Sequence, residues 1–418
     1  MDVYFVNYYW FDNTSGIHLF HLANQLQERG VRCTVLVPDR PDSVTTFGVP
    51  RFAVQTYRQS WRDRLAQRLA RPDGGAIVHA WTPREIVRRP TLELAARLRA
   101  PYLVHLEDNE RLLYLANRRA ARKSGRTGRR RSERLIHPLH WRRFLDKAAG
   151  ITCIIDSLLR FCPDHVPAEV FWPACEPEIF DLPATPDLAL RRSLGVPDDA
   201  FVLFYPGNIH LANLEDVSAL YRAVSLLNQG GRPVWLLRTG TGGKEFAERL
   251  AAPPQVVELG HQPASAIPRY VGVADALVQP GRADAFNVYR FPCKLPMFLA
   301  SGRPVVLPPC NIGEHLADEE NCLITTTGSA EELAAKVSRL ITDPDLRRRL
   351  GSSGRAFAQA NLRWEVAADR LLAFYERILS YRRSGDRIPL EAMRPNGGPA
   401  TFQAGPAHAI DGGISLRH

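Results

Sequence analysis

The stretch that decides the fold is VQPGRADAFNVYRFPCKLPMFLASGRPVV, residues 278–306. It directly follows an apolar run at 274–278, which predicts a buried strand. A polar loop punctuated by glycine and proline comes next, then a short helical run at 293–300 and a second strand at 304–307. In open parallel sheets, this succession places a ligand site at the carboxyl ends of the strands.

Three cations lie in the loop of this stretch and at the start of its helical run, namely Arg282, Arg290 and Lys294. A fixed positive patch beside the start of a helix suits a phosphate or a diphosphate. The loop around Arg290 and Lys294 is more apolar than an ordinary protein surface. We therefore predict that these two residues neutralise a diphosphate, the alternative being a solvated pair of surface cations. Asn287, in the same loop, is predicted to donate a hydrogen bond to the same ligand.

Length and composition indicate a globular protein of two domains. The chain has 418 residues, of which 45% are hydrophobic and 23% are charged. It has no apolar run that predicts a membrane-spanning helix, and its amino-terminal MDVYFVNYYWFDNTSG reads as a strand and not as a signal peptide. The seven cysteines have neither a CxxC pair nor zinc-ligand spacing, which predicts reduced, buried thiols, no metal site and a cytoplasmic location.

The net charge of +10 comes from one segment. Residues 118–143 contain eleven arginines and lysines and one acid, Glu133, and eleven minus one accounts for the whole excess. Because the excess positive charge is confined to this segment, the chain has no general nucleic-acid-binding surface, and no nucleic-acid partner is predicted. Two interpretations of the segment remain open. It is either a disordered, solvated loop or a contact to an anionic membrane surface or a lipid-linked acceptor, which would place the protein peripherally at a membrane.

Both halves of the chain alternate strand and helix signals. The predicted strands are 3–8, 32–37, 76–80, 102–106 and 151–155 in the first half, and 201–205, 234–237, 256–259, 276–279 and 304–307 in the second. Their continuous apolar runs predict parallel strands that are covered on both faces. The fold class is therefore predicted as α/β, with two doubly wound, Rossmann-like domains that face a cleft.

Domain limits follow from composition. A proline-rich, acidic passage at 173–187 predicts an interdomain link, so we assign 1–175 to the first domain and 176–362 to the second. A long amphipathic helix is predicted at 363–384. The glycine- and proline-rich tail at 385–418 shows no pattern and is predicted to be disordered.

The second half resembles the GT-B glycosyltransferases of the family 4 type, also called group 1 glycosyl transferases. The matching motifs, in order, are WPACEPEIF (172–180), FYPGN (204–208), LLRTG (236–240), ELG (258–260), IPRY (267–270), RFPCKL (290–295), LASGRPV (299–305) and NCL (321–323). The first half matches more weakly, mainly at Gly16, His18 and the strand that includes His105. The resemblance implies a GT-B fold in which the second domain holds a nucleotide-sugar donor and the first domain holds the acceptor. It also implies transfer with retention, no metal, no other cofactor, and a long last helix that crosses back to the first domain.

One departure from the pattern leaves a second function open. Related sequences carry a glutamate three residues after the lysine of the K-L segment, where it contacts the donor ribose, and here that position is Met297. The alternative to a glycosyltransferase is thus a non-catalytic GT-B-like binding or scaffolding protein. Another enzyme on the same fold, such as a sugar-nucleotide epimerase, would leave the basic segment unexplained.

Strand ends in the second half supply further candidates for the donor site. Gly207, Asn208 and His210 follow the strand at 201–205 and offer backbone N–H groups and an imidazole to a phosphate or a sugar. Arg238 and Gly240 repeat that arrangement at the end of the next strand. In each case a purely structural turn is the alternative.

The first half supplies candidates for the acceptor side. Gly16 lies at a strand-to-helix turn, where the backbone could approach a sugar phosphate closely. His105 and Glu107 lie at the end of the strand at 102–106. They are predicted to hold acceptor hydroxyls or to receive the acceptor proton, and Arg290 and Lys294 are predicted to stabilise the leaving diphosphate.

Overall fold

The computed structural model describes residues 1–62, 75–123, 133–183, 185–210, 212–231, 233–242, 244 and 246–384. The tail that was predicted to be disordered, 385–418, and the central part of the basic segment, 124–132, lie outside these ranges. The strands are β1 (Asp2–Asn7), β2 (Arg32–Val37), β3 (Ala53–Thr56), β4 (Ala76–Trp81), β5 (Tyr102–Leu106), β6 (Gly150–Cys153), β7 (Ala168–Val170), β8 (Phe201–Pro206), β9 (Val234–Thr239), β10 (Val256–Glu258), β11 (Ala276–Val278), β12 (Val305–Leu307) and β13 (Leu323–Ile324).

The α-helices in the described residues alternate with these strands. They are α1 (Thr14–Glu28), α2 (Tyr57–Arg62), α3 (Glu85–Leu98), α4 (Glu110–Lys123), α5 (Trp141–Asp146), α6 (Leu188–Ser193), α7 (Leu214–Asn228), α8 (Ala247–Leu250), α9 (Ile267–Val273), α10 (Leu295–Ala300), α11 (Ala330–Thr342), α12 (Pro344–Asn361) and α13 (Trp364–Ser384). None of the helices that the structure describes is both long and apolar enough to cross a membrane.

The strands form two parallel sheets. One has the order β3-β2-β1-β4-β5-β6-β7, and we call the part built on it the N-lobe. The other has the order β10-β9-β8-β11-β12-β13 and forms the C-lobe. Each sheet reverses its strand order once, between β1 and β4 and between β8 and β11. The predicted architecture of two doubly wound α/β sheets is confirmed.

Burial explains which strands the sequence revealed. Every residue of β8 is buried, and the fully covered centre of each sheet requires a continuous apolar run. The predictions missed β3, β7 and β13, which are short and lie at sheet edges. An edge strand pairs on one side only, so its sequence needs no long apolar run.

The last helix, α13, packs against α1 of the N-lobe. Trp364, Leu371 and Tyr375 are buried in the same apolar cluster as Leu19 and Leu22 of α1. Such burial of aliphatic and aromatic side chains stabilises each one by about 1.5–3 kcal/mol. The chain thus returns from the C-lobe to the N-lobe, while the domain limits at 175 and 362 stay a proposal.

Candidate functional site

The carboxyl ends of the central strands of both sheets face each other across a cleft. Direct contacts tie the two sides together. The Ser157 hydroxyl donates to the Val288 carbonyl at 2.6 Å, and His315 Nε2 lies 2.9 Å from a carboxylate oxygen of Asp156. Ligands of doubly wound sheets bind where the strand order reverses, so the loops after β1, β4, β8 and β11 are the place to expect a site.

Lys294 is the central cation on the C-lobe side. Its Nζ lies 4.1 Å from the centroid of the Tyr205 ring, and Tyr205 belongs to β8. A Cβ atom at position 207 would come within 2.8 Å of Lys294 Nζ, so Gly207 leaves the room that the ammonium group occupies. Among the described residues, no carboxylate forms an ion pair with Lys294.

The electrostatics of this corner favour an anion. The pKa of Lys294 is lowered to about 7, chiefly by burial and also by the charges of Arg290 and Arg238, and Cys293 opposes the shift. Burial also lowers the pKa of His210, and Arg290 and Lys294 add to that effect. Arg290 and Arg238 each pair with a carboxylate, whereas Lys294 has no such partner among the described residues, so a bound anion would offset the repulsion at Lys294.

Arg290 reaches across the cleft. Its Nε lies 3.7 Å from Asp108 Oδ1 in the loop after β5, and its guanidinium carbon lies 4.4 Å from the centroid of the Phe286 ring. The side chain is 41% exposed, so it remains open to a ligand from solvent. The predicted pair of Arg290 and Lys294 therefore meets in one corner of the cleft, with His210 and Gly207.

On the N-lobe side, Glu107 is a firmly held anion. It accepts hydrogen bonds from the Ser15 hydroxyl at 2.5 Å and from Trp81 Nε1 at 2.8 Å, and it pairs with His18 Nδ1 at 3.5 Å. Burial alone would raise its pKa, but His18, His105 and Ser15 lower the pKa of Glu107 to about 2. With so many partners, Glu107 is placed to position its neighbours.

His105 lies behind Glu107 and not in the cleft. Its ring has no exposed surface and stacks between Trp81, at 4.1 Å, and Phe171, at 5.2 Å. Its Nδ1 is 2.8 Å from the Thr152 hydroxyl, and burial lowers its pKa to about 3, so the imidazole is neutral. Receipt of an acceptor proton by His105 stays a prediction, and the observed position gives the ring a packing role.

The sequence singled out His105 and Glu107 of an acidic run, whereas Asp108 is the carboxylate that faces the C-lobe. It lies between two guanidiniums, at 3.8 Å from Arg84 and 3.7 Å from Arg290. Burial, followed by the nearby Glu110, raises the pKa of Asp108 to about 7, although the two arginines oppose the shift. A carboxylate that titrates near neutrality beside a cleft is a candidate functional group.

Arg84, which follows β4, was also missed. Its Nε donates to both carboxylate oxygens of Glu110, at 2.9 and 3.1 Å, and its guanidinium lies 4.2 Å from the centroid of the Tyr8 ring. Both partners of this ion pair are buried. No local pattern marks Arg84, because its partner comes from another strand end.

The remaining predicted donor residues build the turn after β8. Arg238 is 1% exposed, and its guanidinium binds the Glu258 carboxylate and the Gly207 carbonyl, at 2.7 Å for the latter. Asn208 Oδ1 accepts the Thr241 N–H at 2.8 Å. These bonds give Arg238 and Asn208 an indirect role in shaping the site, and direct ligand contact by either stays a prediction.

The predicted glycines have structural explanations as well. Gly240 has φ +110°, and a Cβ there would lie 2.5 Å from the Gly207 carbonyl oxygen. A Cβ at Gly16 would lie 2.8 Å from Phe11 Cα. Asn287 donates to the Arg282 carbonyl at 3.2 Å, within its own loop. Contact of Gly16, Gly240 or Asn287 with a ligand stays a prediction.

Comparison with known proteins agrees with this geometry. Residues 200–343 match the family model of glycosyl transferases group 1. Anabaena Alr3699/HepE, solved in complex with UDP and glucose, superposes with a TM-score of 0.63 at 14% identity, over 90% of this chain and 99% of that one. Sucrose-phosphate synthase from Thermosynechococcus elongatus gives a TM-score of 0.62 at 15% identity, over 91% and 99%. The chain has the GT-B fold, and residues 200–343 of its C-lobe are similar to the group 1 glycosyl transferases.

Two curated relatives match part of this GT-B chain. D-inositol 3-phosphate glycosyltransferase of Stackebrandtia nassauensis is 27% identical over 272 residues, which are 59% of this chain and 55% of the relative. Alpha-D-kanosaminyltransferase of Streptomyces kanamyceticus is 24% identical over 195 residues, which are 45% and 48% of the two proteins. The match thus spans about half the length of these relatives.

The cysteine prediction is correct except at one position. All seven cysteines of the GT-B chain are free thiols, and six of them are buried. Cys293 is exposed, because it lies in the cleft between Arg290 and Lys294 and not beneath the sheet.

Substitution of His18 is expected to change how stability depends on pH. Burial lowers the pKa of His18, but hydrogen bonds with Cys293 and Glu107 outweigh that effect and raise it to about 9, from 6.5. The imidazolium therefore stabilises the fold fully below pH 6.5, and this contribution is lost as the pH rises through 9. Relative to His18→Gln, the wild type should lose about 3 kcal/mol of unfolding free energy between pH 6 and pH 9.5.

Denaturant unfolding of both proteins at several pH values would measure this change. His21→Gln is the matched control, because His21 lies on the same helix but pairs with the half-exposed Glu176. A constant difference between wild type and His18→Gln across the pH range would contradict the assignment.

Proposed function

We propose that this protein is a glycosyltransferase that moves a sugar from a nucleoside-diphosphate donor to an acceptor hydroxyl. The donor diphosphate lies against Lys294 and Arg290 in the cleft, and transfer proceeds with retention and without a metal. The observation that carries the proposal is the half-buried ammonium of Lys294, which shares its corner with Arg290 and His210 and has no ion-pair partner in the described residues.

The reaction explains why such a corner is useful. Loss of the nucleoside diphosphate places negative charge on the leaving group, and fixed cations in a partly buried site stabilise that charge strongly. The ligands of the fold neighbour, UDP and glucose, support a nucleoside diphosphate as the donor portion. The curated relatives, named for an inositol phosphate and for an amino sugar, support the class of reaction and leave the acceptor open.

The acceptor binds on the N-lobe side in this proposal. Asp108 faces the same cleft as Arg290 and is 27% exposed, so it can accept a hydrogen bond from an acceptor hydroxyl. Glu107 holds His18 and Trp81 beneath that position. We therefore add Asp108 as a residue of acceptor contact, and proton transfer to His105 stays a prediction.

Measurements of nucleotide binding and of donor hydrolysis distinguish this proposal from a binding or scaffolding role. The observation that favours scaffolding is Met297, which packs against the apolar core at the position where the family resemblance implies a donor-binding glutamate. Calorimetry with UDP, GDP, ADP and TDP should find one that binds, and mass spectrometry with the matching nucleotide sugars should detect slow donor hydrolysis. Binding with slow donor hydrolysis would favour the enzyme, and the absence of any binding would contradict the enzyme and favour a scaffold.

We further propose that the basic segment 118–143 docks at an anionic membrane surface or a lipid-linked acceptor. Its described ends expose Arg118, Arg119, Arg142 and Arg143. Each cation near an anionic surface contributes about 1 kcal/mol. The wild type should sediment with vesicles that contain phosphatidylserine but not with phosphatidylcholine vesicles. Replacing these four arginines with glutamine should abolish this difference, and equal binding by the variant would contradict the proposal.

A further inference from the structure

Cys293 forms a contact that none of the roles above uses. It lies in the cleft, and its Sγ is 3.7 Å from His18 Nε2, although the two residues belong to opposite lobes. Its side chain is exposed, whereas the other six cysteines are buried.

A carboxylate holds the histidine from its other side. His18 Nδ1 lies 3.5 Å from Glu107 Oε1, and Glu107 is itself fixed by Ser15 and Trp81. A carboxylate at Nδ1 keeps the proton on that nitrogen and directs Nε2 at the sulfur. A thiol next to an imidazole that a third group orients is the arrangement of an activated cysteine nucleophile.

The surroundings of the sulfur are electropositive. The next residue, Lys294, is close enough for its charge to interact with that of Cys293, and Arg290 lies in the same corner. The remaining contact of the sulfur is the Phe291 carbonyl, at 3.6 Å. Reactive cysteines in proteins are partly exposed thiols in electropositive surroundings, whereas buried cysteines are inert.

We propose that Cys293 is a thiol modification site that reacts with low-molecular-weight disulfides, with protonated His18 as the partner of its sulfur and Glu107 as the residue that positions His18. In the reactive pair the proton lies on His18 Nε2 and Sγ carries the negative charge, and the sulfur attacks one sulfur atom of the disulfide. A new S–S bond forms while the old one breaks, and the departing thiolate takes up a proton. Cys293 is oxidised, and one half of the small disulfide is reduced to a thiol.

The adduct would also close the cleft to the donor. It lies beside Lys294 and in the gap that His18 and Cys293 bridge, so it occupies space that a diphosphate needs. This second part rests on the proposed function, whereas the reactivity of Cys293 does not.

The reactivity is tested on the native full chain. Iodoacetamide or oxidised glutathione is added at pH 7, and peptide mass spectrometry follows each cysteine. Cys293 should react about tenfold faster than free cysteine, while the six buried cysteines stay unmodified. His18→Gln should lower the rate about tenfold, and Glu107→Gln should lower it less. A wild-type Cys293 that reacts no faster than free cysteine would overturn the proposal without any variant.

A matched control separates the chemistry from packing. His21 lies one turn further along α1 and stacks on Trp364 at a centroid distance of 4.8 Å, but the structure records no contact between His21 and the sulfur. His21→Gln should therefore leave the labelling rate unchanged, and equal slowing by both histidine variants would overturn the role of His18. A nucleoside diphosphate should protect Cys293. Fast labelling without protection would support the modification site and contradict the neighbouring diphosphate site.

Discussion

Lys294→Ala should lower sugar transfer by about 100- to 1,000-fold while the protein stays folded. Lys294 Nζ lies over Tyr205 in the space that Gly207 leaves, so its removal takes away a half-buried positive charge of the site and no structural ion pair. The rate of transfer, or of donor hydrolysis, measures the effect. Lys147→Ala is the matched control, because Lys147 is an exposed lysine of the N-lobe, and that variant should keep full activity.

The same residue should make diphosphate binding depend on pH. The pKa of Lys294 is about 7 in the empty site, and a diphosphate binds the ammonium form. Affinity should therefore fall as the pH rises above 7, and binding near pH 7 should take up protons from the buffer. Unchanged turnover in Lys294→Ala would contradict the role of Lys294. So would a diphosphate affinity of this variant that falls with pH as steeply as that of the wild type.

Arg84→Met should destabilise the N-lobe by about 3–5 kcal/mol. Arg84 and Glu110 form a buried ion pair in which Arg84 Nε donates to both carboxylate oxygens, so the variant leaves a buried carboxylate uncompensated. Methionine keeps the apolar contact with the Tyr8 ring. Denaturant unfolding at pH 7 measures the loss, which should be smaller at pH 5, where Glu110 can take up a proton.

A double variant controls for the lost side chain itself. Arg84→Met combined with Glu110→Gln removes both charges of the pair, and it should recover most of the stability that the single variant loses. A single variant that loses less than about 1 kcal/mol would show that the pair behaves as an exposed ion pair.

Sequence periodicity was sufficient for the sheets but not for the contacts between lobes. The central strands are buried on both faces, so each of them needs a continuous apolar run that the sequence shows directly, as in β8. The edge strands β3, β7 and β13 carry no such requirement and were missed. The predicted cations Arg290 and Lys294 lie close together because they are only four positions apart in the sequence, on either side of a turn.

The rest of the site depends on partners that are far apart in the chain. His18 and Cys293 are 275 residues apart in sequence, and Asp108 meets Arg290 only when the two lobes face each other. Arg238 was predicted to contact a ligand because it lies at a strand end. In the structure its guanidinium instead binds Glu258 of the neighbouring strand. Local patterns can indicate which strand ends carry polar residues, but the fold decides which of those residues remain open.

A crystal structure of the full chain with a bound nucleoside diphosphate would test the central claim most directly. We expect diphosphate oxygens within about 3 Å of Lys294 Nζ and of the Arg290 guanidinium, with Arg290 withdrawn from Asp108. A diphosphate bound elsewhere, with Lys294 still resting over Tyr205 and Arg290 still paired with Asp108, would contradict it.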